Sequence, residues 1–390
     1  MTTFKTNQAA NALDTEIRPF QINIPQAQLD DLQYRLTNTR WANGLQDAGW
    51  KYGVSSAYVK EVAEYWKNEY DWRKHEERLN EFPQFTTTID GANIHFMHVR
   101  SPEPNALPLL LTHGWPSSIV EFWNLIGPLS NPRAYGGDPA NAFHLVIPSV
   151  PGFGFSGGEL DAGWNISRIA RAWAELMNRL GYEKYGSHGS DCGALVSREM
   201  GIQKPKGLLA IQVLQLFSFP SGNPEEMVDL SEDDQSRLQF LANFHERAGY
   251  NAIQQTRPQT LSYGLSDSPI GQLAWIAELF NGFGDHIDFI DRDALLTNVM
   301  IYWLTNTAES SARLYYENVH PQEAASQEAN TTATGVSVFG HDFKSMKRFA
   351  TRDNTNIVQW SEFERGTHFA ALDAPDLLVP ELQSFFSRFR

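Results

Sequence analysis

Between residues 109 and 217, short apolar runs alternate with helix-like stretches. Leu109-Leu110-Leu111 and the runs 143–147, 183–187 and 208–217 read as strands. A stretch capped by Ser117, together with 166–180 and 194–202, reads as the helices between them. Strand, helix and strand again sets successive strands parallel, with the connecting helices on both faces of one sheet. Upstream, 86–89 and 93–99 alternate in polarity across Asp90-Gly91, the dipeptide of a tight hairpin turn. The pattern breaks after residue 217. Up to about residue 330 the chain shows helical pieces at 231–246, 271–280 and 293–306 and no strand-like run. β character returns at 336–339 and 357–360 around a helix at 344–350, and a closing helix covers 374–389.

This organisation predicts four segments. Residues 1–84 form an N-terminal extension wrapping the core: a loose polar arm to about residue 20, a helix opened by Pro25 with Leu29, Leu32 and Leu36 on one face, and a second helix over 58–68. The dense aromatics of this region, Trp41, Trp50, Tyr58 and Trp66 among them, read as packing that clamps another part of the chain. Residues 85–217 and 333–390 are the two halves of the core, and 218–332 is an inserted helical lid.

The composition, 42% hydrophobic and 20% charged, is that of an ordinary water-soluble chain. A net charge of -15 argues against a nucleic-acid partner and against an anionic membrane surface. No apolar run approaches the roughly 18 residues of a membrane-crossing helix, and the opening residues lack the basic and apolar parts of a secretory leader. Cys192 is the one cysteine, so no intrachain disulfide can form, which suits a reducing compartment. A cytoplasmic location without a membrane anchor is expected, with room for a homo-oligomer.

The run Gly189-Ser190-Asp191-Cys192-Gly193 lies where a strand must turn sharply into a helix. Its glycines let the backbone crowd through the turn, and Asp191 stands at the apex. Alone, the pattern matches acidic surface turns freely; its partners give it weight. With an ordinary pKa of about 3.9, Asp191 is an anion at neutral pH and can attack carbon without a base. Strained rings such as epoxides, or carbons bearing a halide, would give an alkyl ester. A peptide or simple ester would give a high-energy anhydride instead.

Where a strand–turn–helix carries a nucleophile at its apex, as in α/β-hydrolases, an acid and then a histidine follow in chain order. His368 follows the last predicted strand, and Asp342 stands 26 residues upstream, just past the strand at 336–339. Asp353, in a polar loop, and Glu362, close to the histidine, are weaker choices. A neutral imidazole oriented by Asp342 could activate the water that clears the ester. The resulting oxyanion would need two backbone N–H groups, expected from Cys192 and from the loop His113-Gly114-Trp115-Pro116, Trp115 above all. That loop, His113, Gly114, Trp115 and Pro116, is also expected to line the substrate. The Cys192 side chain reads as packing. An alkoxide leaving an opened ring needs an acid, and a tyrosine can supply it. The lid offers Tyr250, Tyr263, Tyr302, Tyr315 and Tyr316. Gly152-x-Gly154-x-x-Gly157 lacks the helix of a dinucleotide site, and His95 and His98 fall on opposite faces of a strand. No metal or organic cofactor is expected.

Several stretches together carry a resemblance: 65–72 (YWKNEYDW), 94–99 (IHFMHV), 113–116 (HGWP), 148–156 (PSVPGFGFS), 267–271 (DSPIG) and 368–371 (HFAA). On these the chain, from about residue 17 to 386, resembles epoxide hydrolases of the microsomal type, including soluble bacterial and fungal members. The resemblance implies an α/β-hydrolase fold with a helical lid and an N-terminal helical extension. It implies addition of water to a hydrophobic epoxide to give a vicinal diol. It places the nucleophile on Asp191, the acid on Asp342 and the histidine on His368. The ring-opening tyrosines fall on Tyr250 and Tyr315, with Tyr316 the nearest rival. Cys192 stands where a tryptophan or other bulky residue is common, Thr367 replaces the second glycine of Gly-Gly-His, and Ala42 replaces a proline. Two other readings use the same fold. A haloalkane or haloacid dehalogenase would need halide donors around the nucleophile, and a non-catalytic binding scaffold would have no use for an intact set of reacting groups.

Overall fold

The computed structural model describes residues 15–45, 47–282, 287–321 and 328–390. Residues 1–14, most of the expected loose arm, lie outside the described residues. Nine strands form one sheet: β1 (Arg18–Phe20), β2 (Gln84–Ile89), β3 (Ala92–Val99), β4 (Leu107–Thr112), β5 (Phe143–Pro148), β6 (Tyr185–Gly189), β7 (Leu208–Val213), β8 (Thr334–Val338) and β9 (Ile357–Glu362). Their order is β1-β2-β3-β5-β4-β6-β7-β8-β9. The first three pair antiparallel, as do β3 and β5; β4 to β9 run parallel. The parallel part is what the alternation predicts, and the whole sheet has the α/β-hydrolase architecture that the resemblance implies. Asp90 and Gly91 both have positive φ, 49° and 80°, between the paired Ile89 and Ala92, so the hairpin closes in the mirror-image turn that suits the twist of the strands.

The central strands β4, β5 and β6 are covered on both faces, which is why their sequences run nearly continuously apolar instead of alternating. β6 is the exception in composition. It reads Tyr-Gly-Ser-His-Gly and begins two residues later than expected, because Glu183 and Lys184 stay outside it. Two of its polar side chains bond inside the protein: Ser187 with Ser197 at 2.9 Å, and His188 through Nδ1 with Gln212. Gly186 leaves room for Phe386, whose ring a Cβ there would meet at 2.3 Å.

Between β7 and β8 the described chain is helical: Glu232–Phe244, Gly249–Thr256, Pro258–Asp267, Pro269–Gly282, Arg292–Thr305 and Ala308–Val319. Three of the six were expected. Gly249–Thr256, Pro258–Asp267 and Ala308–Val319 were not; the first two are short, and all three pack on each other. The N-terminal helices Gln26–Thr37 and Ser56–Asn68 agree with expectation, and Trp72–Asn80 is an addition. The last buries Trp72, His75, Glu76 and Leu79, a helical stripe that a count of apolar residues misses because half of it is polar. These three helices lie against Pro269–Gly282 and Arg292–Thr305. The contact is laced by Tyr65 donating to Asp293 at 2.8 Å and by Arg292 pairing with Glu61 at 2.6 Å.

Several boundaries move. The cap after β4 is Ser118, whose Oγ accepts from Val120 N–H at 3.4 Å; Ser117 instead closes the preceding turn by donating its N–H to Gly114 O at 3.1 Å. A 3-10 turn, Ile119–Phe122, therefore precedes the helix Trp123–Ser130. β7 stops at Val213, not 217. The helix expected at 344–350 is Lys347–Asp353. The closing helix expected over 374–389 is Pro375–Phe386 followed by a 3-10 turn, Ser387–Phe389; a short helix, Ala370–Asp373, precedes it and ends where Pro375 has no N–H to continue it.

Candidate active site

The turn from β6 into the helix Cys192–Gln203 is made without slack. A Cβ on Gly189 would sit 2.1 Å from Gly193 O, and one on Gly193 would sit 1.9 Å from Thr112 O. At Gly114 a Cβ would come within 2.3 Å of the Asp191 Cβ. Three glycines thus let the end of β4 and the turn touch backbone to backbone. Asp191 at the apex has φ 50° and ψ −124°, a sparsely populated region for a residue with a side chain. The strain holds its carboxylate out of the helix and over the C-terminal edge of the sheet, where an open parallel sheet places its ligands.

The two carboxylate oxygens of Asp191 have different surroundings. Oδ1 accepts from Trp115 N–H at 3.0 Å and from the Cys192 thiol at 3.0 Å. Oδ2 lies 3.4 Å from His368 Nε2. On the far side of the imidazole, Nδ1 donates to Asp342 Oδ1 at 2.6 Å. His368 and Asp342 are almost fully buried, at 2% and 1% exposed. Burial alone would lower the histidine pKa, but Asp342 and Asp191 on its two sides push it up to about 10. Burial works against the Asp191 anion, yet His368, the Cys192 thiol and the Cys192 amide hold it below the usual carboxylate range. The resting site is therefore an imidazolium between two carboxylates. Burial, with Asp191 beside it, keeps the Cys192 thiol protonated.

Above this, the rings of Tyr250 and Tyr315 flank Trp115, at centroid distances of 5.4 Å and 5.6 Å, and lie 6.2 Å from each other. Burial first, and the Asp191 charge second, raise both phenols, so both remain O–H donors. The other lid tyrosines are used elsewhere. Tyr302 donates to Ser117 O at 2.7 Å, Tyr316 stacks on His320 at 4.2 Å, and Tyr263 is 74% exposed. The weaker acids are also distant in role: Asp353 pairs with Arg352 and Glu362 with Arg237.

One expectation about the 113–116 loop is corrected. His113 is fully buried and both ring nitrogens serve the backbone: Nδ1 donates to Gly114 O at 3.0 Å and Nε2 accepts from Val150 N–H at 3.2 Å. It holds the loop and does not offer a group to substrate. Pro116 likewise contributes its carbonyl to Asn298 Nδ2, at 2.7 Å. Asn298 and Tyr302, one turn apart on Arg292–Thr305, pin this loop from the lid side; nothing local in the sequence marks either.

The comparisons decide the family. Residues 17–122 match the family described as Epoxide hydrolase N terminus, and 108–272 the alpha/beta hydrolase fold. A Stigmatella aurantiaca protein provisionally named as an epoxide hydrolase is 44% identical over 96% of this chain and 86% of its own length. Epoxide hydrolase 1 of Sus scrofa is 32% identical over 97% and 90% respectively. The chain belongs to the epoxide hydrolase family. Among solved structures, the Aspergillus niger epoxide hydrolase is 31% identical and superposes with a TM-score of 0.84, covering 97% of both chains. The juvenile hormone epoxide hydrolase of Bombyx mori, at 28% identity, reaches 0.87 over 98% of this chain and 96% of that one. The protein is thus an enzyme, a hydrolase of epoxides. Among its described residues no helix is long and apolar enough to cross a membrane, and no three His, Cys, Asp or Glu side chains gather as metal ligands would.

The imidazolium of this epoxide hydrolase has a consequence for stability. A histidine whose folded pKa is raised from 6.5 to about 10 contributes stability that is complete below pH 6.5 and is lost as pH rises toward 10. Glu121, raised by burial to about 7, loses stability over a lower window that ends near pH 7. Between about pH 7 and 9 the unfolding free energy of the wild type should therefore fall by roughly 2–3 kcal/mol. His368→Gln should flatten that slope; an equal slope in the variant would show that the charge on His368 does not change over that range.

Proposed function

We propose that this epoxide hydrolase works through a covalent ester on Asp191. Oδ2 attacks a ring carbon from behind the C–O bond, and the ring oxygen leaves as an alkoxide that takes a proton from Tyr250 or Tyr315. The imidazolium of His368, no longer facing an anion once Asp191 is esterified, returns a proton to the phenolate and becomes the neutral base that the next step needs. His368, oriented by Asp342, then removes a proton from water as that water attacks Cγ of Asp191. The oxyanion forms on Oδ1, where the N–H groups of Trp115 and Cys192 hold it. Collapse expels the diol oxygen, protonated by His368, and the new Asp191 carboxyl proton passes back to the imidazole. Every proton is accounted for by side chains, with no metal or organic cofactor.

What carries this reading is the division of the Asp191 carboxylate. One oxygen is held by donors and the other is left for attack, facing the base that would act next. The described helices between β7 and β8 act as the lid that brings the two phenols over the nucleophile, on a core of 85–217 and 333–390 against which the described residues of the N-terminal extension, 15–45 and 47–84, lie. The aromatic surroundings, Trp115, Tyr250, Tyr315 and Trp275, favour a hydrophobic epoxide. A cytoplasmic location agrees with the single cysteine and the charge of -15.

A single turnover in heavy-oxygen water tests the mechanism. With enzyme in excess, the diol should take its new oxygen from Asp191 and carry no label, and the label should appear in the peptide containing Asp191. Label entering the diol in the first turnover would mean that water attacks the ring directly. Styrene oxide and a haloalkane, offered side by side, separate this chemistry from dehalogenation.

A further inference from the structure

Gln215 follows β7 by two residues, is 1% exposed, and was covered only by the expected continuation of that strand. Its carboxamide joins two loops that carry reacting groups. Oε1 accepts from the Asp191 backbone N–H at 2.7 Å, and Nε2 donates to Asp342 Oδ2. Nε2 also lies 3.5 Å from His368 Nδ1. The other oxygen of Asp342, Oδ1, is taken by His368 Nδ1 at 2.6 Å and by the Phe343 N–H at 2.5 Å.

We infer that Gln215 is a positioning residue for the second half of the reaction: it fixes the plane of the Asp342 carboxylate so that Oδ1 meets His368, and ties that carboxylate to the strained turn at Asp191. The chemical demand is specific. The Asp191 N–H needs an acceptor and Asp342 Oδ2 needs a donor, both inside the protein, where an unmet polar group is costly. A neutral carboxamide meets both demands with one group and adds no charge between two carboxylates. Without the donor on Oδ2, the Asp342 carboxylate is free to rotate about its last bond, and the bond from His368 Nδ1 loses its direction. A base whose tautomer and orientation are set by its second nitrogen then works less well. The turn at Asp191 would keep its covalent geometry but lose the one acceptor recorded for its amide.

This inference rests on the reading of His368 as the base that clears the ester, and the test separates the two. Gln215→Glu keeps the acceptor for the Asp191 N–H and the side-chain length. It removes the donor to Asp342 whenever the new carboxyl is ionised and restores it when that carboxyl is protonated. The charged and titratable groups around it are Asp191 on the turn, Asp342 after β8 and His368 after β9, with Glu121 behind Ser190 and Asp373 beyond Thr367. A carboxyl placed beside Asp342 in this buried site should hold its proton well above the ordinary pKa. Gln215→Met removes both bonds at similar volume.

With an epoxide in rapid mixing, ester formation on Asp191 should proceed in both variants, and its hydrolysis should slow by about tenfold or more at about pH 8, part of what a general base contributes. In Gln215→Glu the ratio of its hydrolysis rate to that of the wild type should rise as pH falls from about 8 to about 6. In Gln215→Met the ratio should stay low and flat. A Gln215→Glu enzyme with the wild-type rate and pH profile would overturn the inference, as would a folded variant that fails to form the ester at all. If Gln215→Met does not fold, the pH response of Gln215→Glu carries the test. A His368→Gln control that accumulates no ester would instead sink the mechanism on which the inference stands.

Discussion

His368→Gln, mixed with an epoxide, should stall with substrate attached to Asp191. The first half-reaction needs an anion and an acid for the ring oxygen, and neither is His368. The second needs a base to activate water, and nothing else in the site stands 3.4 Å from Asp191 Oδ2 with a carboxylate behind it. Intact mass should rise by the whole mass of the substrate, because ring opening expels no leaving group; a haloalkane on a dehalogenase would add substrate less hydrogen halide. Digestion should place the adduct on the peptide around Gly189 and Gly193, and Asp191→Ala should show none. Normal turnover by His368→Gln, or an adduct on Cys192, would overturn the mechanism. Slow residual hydrolysis is expected, since the N–H donors at Oδ1 still help adventitious water.

The tyrosines should behave as a pair. Tyr250→Phe or Tyr315→Phe alone should slow ring opening strongly without abolishing it, because the remaining phenol still stands beside Trp115. The double replacement should lose the whole acid contribution, about 10²–10⁴-fold. Tyr316→Phe and Tyr263→Phe should leave the rate of ester formation close to wild type: one stacks on His320 and the other faces solvent. The measurement is pre-steady-state ester formation, which isolates this step from hydrolysis. A large loss in Tyr316→Phe would show that the wrong neighbour has been chosen on Ala308–Val319.

In the proposed mechanism one histidine assists the first half, which does not require it, and serves as base in the second. In the free enzyme Asp191 and Asp342 together hold the proton on His368, which stabilises the nucleophile as an anion. Once Asp191 is esterified one of those charges disappears and the imidazole gives up its proton more readily. In the proposed mechanism, therefore, the first step generates the base.

What the sequence by itself determined was the alternation, the hairpin at Asp90-Gly91, the sharp turn at Asp191 and the chain order of Asp191, Asp342 and His368, which the structure brings together. Each is local: a period of apolar residues, a turn dipeptide, glycines where no Cβ fits. The tertiary structure decided the rest, because it depends on partners far apart in the chain. β6 was legible only in part, since its stability comes from polar pairs such as Ser187 with Ser197 and His188 with Gln212, which hydrophobic patterning cannot see. Trp72–Asn80 and the helices that carry Tyr250 and Tyr315 are short and bury mixed apolar and polar faces against other segments. His113 looked like a site residue because it adjoins Trp115, yet its two nitrogens are spent on Gly114 and Val150. Gln215 carried no sign at all: a polar residue after a strand becomes a link between Asp191 and Asp342 only when the sheet brings the ends of β6, β7 and β8 side by side. Local rules place residues on elements, whereas hydrogen-bond partners from ten to more than a hundred residues apart are chosen by how those elements pack.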